Sequence, residues 1–202
     1  MSSPRTPRAR RTKAELLDAC RSAVIAEVCE FGLGRLGMEG VARRADTAKT
    51  SLYRHWATAE DLLLDALRHA HPVELPSPEG GQLRADLLRA LAQLTGWLAS
   101  PAGAATAAVL AERGRRPELV DAMYRTVFDS RGGRFTRTVL EHYASLGELD
   151  ARLLTPVVTD IGEALVIKHH IDSGQLPDER ARAAIVDQAI LPALGFPRFR
   201  EE

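Results

Sequence analysis

The sequence predicts an all-α fold in two parts, and three observations carry that prediction. Ala, Leu and Arg dominate while aromatics make up only 5% of the 202 residues, a composition that loses little on entering helices. Apolar residues recur at steps of three and four, and no segment sustains the alternation of a strand. Finally, start and stop signals bracket several of the periodic segments: Thr caps, prolines at first turns, glycines at ends. A hydrophobic content of 45% is enough for a packed core at this length.

In chain order, residues 1–11 carry Arg5, Arg8, Arg10 and Arg11 among Ser, Thr and Pro, the composition of a disordered basic tail able to touch DNA backbone or minor groove. Thr12-Lys-Ala-Glu15 is a capping box. It opens a helix whose apolar stripe is Leu17, Cys20, Val24, Val28 and Phe31, closed by Gly32 and Gly34. Gly32-x-Gly34 follows a helix rather than a strand and lacks a third glycine, so it is no nucleotide loop. Short helices are predicted from Met38 to Ala45 and from Lys49 to Trp56, joined by a tight turn at Asp46-Thr47. Thr58-Ala-Glu-Asp61 caps the next helix, which runs to about His71. Pro72, Pro76, Pro78, Gly80 and Gly81 form a linker over 72–81. Beyond it lie helices at about 82–99, 102–114, 117–146, 148–173 and 178–194, about nine in all. Pro117 and Pro156 suit first turns, and Gly147 and Gly174 suit helix ends. The expected organisation is a tail (1–11), a three-helix helix-turn-helix domain (12–71), a linker (72–81) and a helical ligand-binding and dimerisation domain (82–195).

The bulk charge is zero, but it is unevenly spread. Residues 1–56 hold eleven Lys and Arg against six Asp and Glu, whereas the remainder holds sixteen against twenty-one. A basic front on an acidic body fits a polyanion partner met by the front alone. Cys20 and Cys29 are nine apart with no Cys-x-x-Cys spacing, which argues against a metal site or disulfide framework and for a reduced, cytoplasmic setting. His69/His71 and His169/His170 do not share a helix face, so no metal and no cofactor is expected. The basic N-terminus lacks a following apolar segment of secretory type. The uncharged run Ala90–Ala111 is interrupted at Ser100-Pro-Ala-Gly103 and reads as two buried helices rather than a membrane span.

The stretch Val41-Ala-Arg-Arg-Ala-Asp-Thr-Ala-Lys-Thr-Ser-Leu-Tyr-Arg-His-Trp56 carries the functional signal. Two short helices joined by a tight turn and braced by a third form a helix-turn-helix unit. Ala42 is small where the helices approach, and Val41, Ala45 and Leu52 are apolar where they face the brace. Lys49, Thr50, Ser51, Tyr53, Arg54 and His55 are left for solvent, and these are groups that reach phosphates and base edges from the major groove.

The order Val41-Ala-Arg-Arg-Ala, Lys49-Thr-Ser-Leu-Tyr-Arg-His-Trp56, Glu60-Asp-Leu62 resembles the DNA-binding domain of the TetR family of bacterial transcription regulators, over roughly residues 12–70. Its most specific part is the Leu-Tyr-Arg-x-aromatic ending. The sequence departs from the family's pattern at Asp46 in place of the turn glycine, Thr47 in place of a hydrophobic residue, Ala48 in place of a capping Ser and Ala59 in place of a lysine. The resemblance implies that Lys49, Thr50 and Ser51 lie nearest the bases and that Tyr53 and His55 contact phosphates with Arg54 beside them. Thr47 is a DNA-contact candidate with them and, since Ala48 cannot cap, is expected to cap the reading helix. It further implies a homodimer, with Ile161, Leu165, Ile185 and Ala189 in the interface. An inducer site in the body is implied too, with Trp97, Met123, Tyr124, Val127 and Phe128 as candidates for an unidentified small molecule. The segment from Val157 to Ile171 is apolar nearly all round, which independently calls for cover on more than one side.

The function expected is therefore a cytoplasmic, sequence-specific regulator of double-stranded DNA, a repressor released by a small-molecule inducer. Two alternatives stand beside it: a DNA-binding adaptor governed by a protein partner, and a helical enzyme. The sequence contains no GxSxG, HExxH, Walker or dinucleotide signature, so no catalytic residue is assigned.

Overall fold

Thr12 opens the first helix by the reciprocal bonding its spacing predicts. In the structure, a computed structural model that describes residues 11–72, 82–129 and 135–197, the Thr12 hydroxyl accepts the Glu15 N–H at 3.2 Å. The Glu15 carboxylate accepts the Thr12 N–H at 2.8 Å, and that bond holds the carboxyl below its ordinary pKa. The expected tail up to residue 10 and the linker over 73–81 lie outside the described residues.

The chain divides into two units, Met1–Ala66 and Leu67–Glu202. The first contains α1 (Lys13–Phe31), α2 (Met38–Arg44), α3 (Lys49–Tyr53) and the greater part of α4 (Ala59–Ala70). Its core is Val24, Val41, Leu52, Leu62 and Leu63, all fully buried. Two ionic clamps brace it. Glu27, only 5% exposed, accepts Arg44 Nε at 2.8 Å, pairing a charge that would be costly to bury alone. Asp65 accepts both Arg21 Nε at 2.9 Å and the Trp56 indole N–H at 3.1 Å. Phe31, expected on the buried stripe, is instead 41% exposed and lies under the Arg44 guanidinium at 5.9 Å. Gly32 at φ 76° ends the helix directly after it.

In the second unit α5 (Leu83–Leu98) is central, packing on α8 (Phe135–Ser145), α9 (Pro156–Ser173) and α10 (Glu179–Ile185). Leu87, Leu91, Leu140, Val166, Val186 and Ile190 form its core. α6 (Pro101–Ala111) leaves α5 at a bend of 81°, with Ser100 as cap and Gly103 pressed on the backbone of Leu98. No single described helix is long and apolar enough to cross a membrane, although this bent pair passes by length and composition. Buried Asp86 accepts the Tyr143 hydroxyl at 2.7 Å and pairs with Arg89. Burial, with Glu148 adding to it and Arg89 opposing, raises the Tyr143 pKa.

Several element boundaries differ from the sequence expectation. α3 stops at Tyr53 rather than Trp56, because the Leu52 carbonyl takes the N–H groups of both His55 (2.9 Å) and Trp56 (3.0 Å). The helix expected over 117–146 is α7 (Pro117–Met123) running into a π turn, Tyr124–Phe128, with α8 starting at Phe135; residues 130–134 lie outside the described set. The helix expected from 148 begins only at Pro156, since proline disfavours α geometry in the residue before it and Thr155 is extended at ψ 158°. A 3-10 turn, Ala151–Leu153, fills the gap. The last segment is α10, a second π turn (Val186–Ile190) and α11 (Leu191–Ala193). Among the described residues there is no strand.

Candidate nucleic-acid interface

The reading helix is positioned by a single anchor. Leu52 is fully buried, and on so short a helix that fixes which residues turn outward. Lys49, Thr50, Tyr53, Arg54 and His55 are exposed, Ser51 is half-buried, and the Tyr53 ring is 52% exposed. Lys49 Nζ sits 5.8 Å from the centre of that ring, a cation–π contact that keeps the ammonium over the outward face.

The turn before α3 is held without glycine. The N–H of Thr47 bonds the Ala42 carbonyl at 3.0 Å and that of Asp46 bonds Arg43 at 3.3 Å, the paired bonds of a Schellman end. Asp46 carries the left-handed conformation this requires, at φ 51°. Thr47, expected to cap α3, does not do so: the cap position is Ala48, and no side chain accepts there. The reason is geometric, because Thr47 is spent closing α2 and stands one residue too early.

The sequence reading places Arg11 in the disordered basic tail and gives Arg43 no contact role. Arg11 donates to the Ala45 carbonyl at 2.7 Å, tying the start of the described chain to the end of α2. Arg43 and Arg44 are adjacent, yet Arg44 is held by Glu27 and Glu30 while Arg43 is exposed on α2 and joins the candidate contact residues. The Arg-Arg pair was visible in the sequence, but the acidic partners on α1 that separate the two roles were not.

In the second unit, the five candidate effector residues come together in part. Trp97 and Phe128 pack edge to face with centroids 6.0 Å apart, and Tyr124 meets Phe128 at 5.2 Å. Met123 and Val127 are fully buried. Two rings not anticipated complete the group: His71, at 5.1 Å from Trp97 and 5.3 Å from Phe128, and Phe135, at 6.2 Å from Trp97. Of the candidate interface residues, Leu165 is 38% exposed; Ile161 and Ile185 lean partly on the core, and Ala189 is half-buried.

Residues 25–66, which include this helix-turn-helix, match the family model for bacterial regulatory proteins of the tetR family, and residues 77–189 match that of the tetracyclin repressor-like C-terminal domain. The chain belongs to the TetR family. It is a helix-turn-helix transcriptional regulator, as are its named relatives. An uncharacterised regulator of this type from Mycobacterium tuberculosis is 30% identical over 166 residues, covering 82% of this chain and 81% of that one. AqdR, a regulator from Rhodococcus erythropolis, is 32% identical over 144 residues, covering 71% and 67%. Among solved structures, the TetR family regulator SCO0332 superposes with a TM-score of 0.64 at 26% identity, covering 88% of this chain and 96% of that one. The fatty acid degradation regulator FadR from Bacillus halodurans shares the fold, with a TM-score of 0.65 at 16% identity, covering 94% and 100%.

Proposed function

We propose that this TetR-family regulator is a cytoplasmic homodimeric repressor that reads a near-palindromic operator with α3 and leaves it when a small molecule binds the body. The observation that carries the reading is the outward face of α3. One buried leucine anchors the helix, and Lys49, Thr50, Tyr53, Arg54 and His55 turn away from the core. On this reading Lys49, Thr50 and Ser51 approach base edges, while Tyr53, His55, Arg54 and Arg43 engage phosphates, which position the protein without reading sequence.

Dimerisation is supported by α9. Thr159, Gly162 and Val166 are buried within the chain, yet Val157, Leu165, Ile167 and Ile171 are 76%, 38%, 45% and 71% exposed on other faces. A second copy seated there would present two α3 helices for half-sites about 34–36 Å apart. The effector reading is supported by the ring group around Trp97, which includes His71, the residue just beyond α4. A ligand acts only if it prefers the conformation that does not bind DNA.

Selection of bound fragments from genomic DNA, then footprinting and salt titration, tests the proposal. A short inverted repeat protected on one face of the duplex is expected. Binding that is weak and indifferent to sequence would refute it.

A further inference from the structure

Three departures from regular structure converge on one place in the second unit. The Trp97 indole Nε1 is buried and has no hydrogen-bond partner, although a buried donor left unmade is expensive. The chain bearing Tyr124 and Phe128 is a π turn, its last bond running from the Asp129 N–H to the Tyr124 carbonyl at 2.9 Å; such turns cluster at functional sites. Phe135, whose ring lies 6.2 Å from that of Trp97, has a positive φ of 25°, a strained value for a bulky residue. The unmade hydrogen bond and the positive φ each cost stability.

Resting on the reading that the body holds the effector, we propose that this ring group receives a neutral, planar aromatic molecule whose oxygen or nitrogen acceptor takes the Trp97 indole N–H. Trp97 already packs on Phe128 and Phe135 at centroid separations of 6.0 and 6.2 Å, and a further aromatic ring would join the group in the same edge and face geometry. A single N–H donor satisfies a carbonyl or ring nitrogen. It does not offset the burial of an ionised carboxylate, and its positive end repels a cation. Trp97 as a whole is half-buried, while its indole N–H is shielded from solvent.

The test uses the full-length protein and a matched pair of probes, methyl naphthyl ketone and isopropylnaphthalene, which share size and ring but not the acceptor. Decanoate is the control for a fatty-acid site. Trp97→Phe keeps a ring and removes the donor. It should weaken the ketone about five- to tenfold, the worth of one hydrogen bond, and change the hydrocarbon less than twofold. Independently of any loss of fold in the variant, one of the two indole N–H NMR signals of the wild-type protein should move downfield with the ketone alone. That signal is identified as the one retained in Trp56→Phe. Equal changes for both probes, no binding of the ketone, or preference for decanoate would overturn the assignment. DNA affinity is followed in the same samples by anisotropy. Ketone binding that depends on Trp97 without DNA release would leave this site and remove the inducible-repressor reading. Release by a compound indifferent to Trp97→Phe would do the reverse.

Discussion

At the scale of single residues, the turn before the reading helix rests on Asp46. Its φ of 51° is tolerated because a short polar side chain suffers less there than a branched one. Asp46→Val should therefore cost about 1–2 kcal/mol in chemical denaturation, whereas Asp46→Gly should hold or raise stability; equal losses in both would show that the aspartate side chain, not the backbone, makes the turn. Lys49 is the residue for testing contact with DNA. Lys49→Ala should weaken binding and, if the ammonium meets a phosphate, lower the salt slope by about 1. An unchanged slope with altered sequence preference would make Lys49 a reader of bases instead.

At the scale of elements, α9 is the informative helix. Its apolar residues are too many for one face, and the fold uses only Thr159, Gly162 and Val166 fully. Gly162 lets α9 approach α8 closely: a Cβ there would lie 2.5 Å from Thr136 Cγ2. Leu165 points elsewhere and is not needed for that packing. Leu165→Asp should leave the helical content and fold intact while shifting the protein from dimer to monomer in light scattering. A variant that stays dimeric would move the interface off this helix. Ile161 is a poorer probe because it also packs on the core, so its loss would mix folding with assembly.

At the scale of the whole molecule, dimerisation links stability to concentration. If α9 pairs with its copy, the thermal midpoint should rise as protein concentration increases, and Leu165→Asp should abolish that dependence. A midpoint independent of concentration in the wild-type protein would favour a monomer in solution.

Much of this architecture was legible in the amino-acid order because it depends on local chemistry. Thr12 with Glu15 and Thr58 with Asp61 cap their helices as their spacing requires. Gly174 ends α9 in the left-handed conformation, and the 41–56 segment forms two short helices about a turn. Each follows from which backbone groups lack partners at a helix end. The sequence by itself thus determined the helical class, the helix-turn-helix and most of the side chains left exposed on α3. Only the tertiary structure decided that Thr47 closes α2 instead of capping α3. It alone distinguished Arg44, held by Glu27 and Glu30, from its neighbour Arg43, and brought His71 and Phe135 to the rings of Trp97 and Phe128. Those outcomes depend on groups far apart in the chain, and periodicity and capping rules describe only a residue's near neighbours.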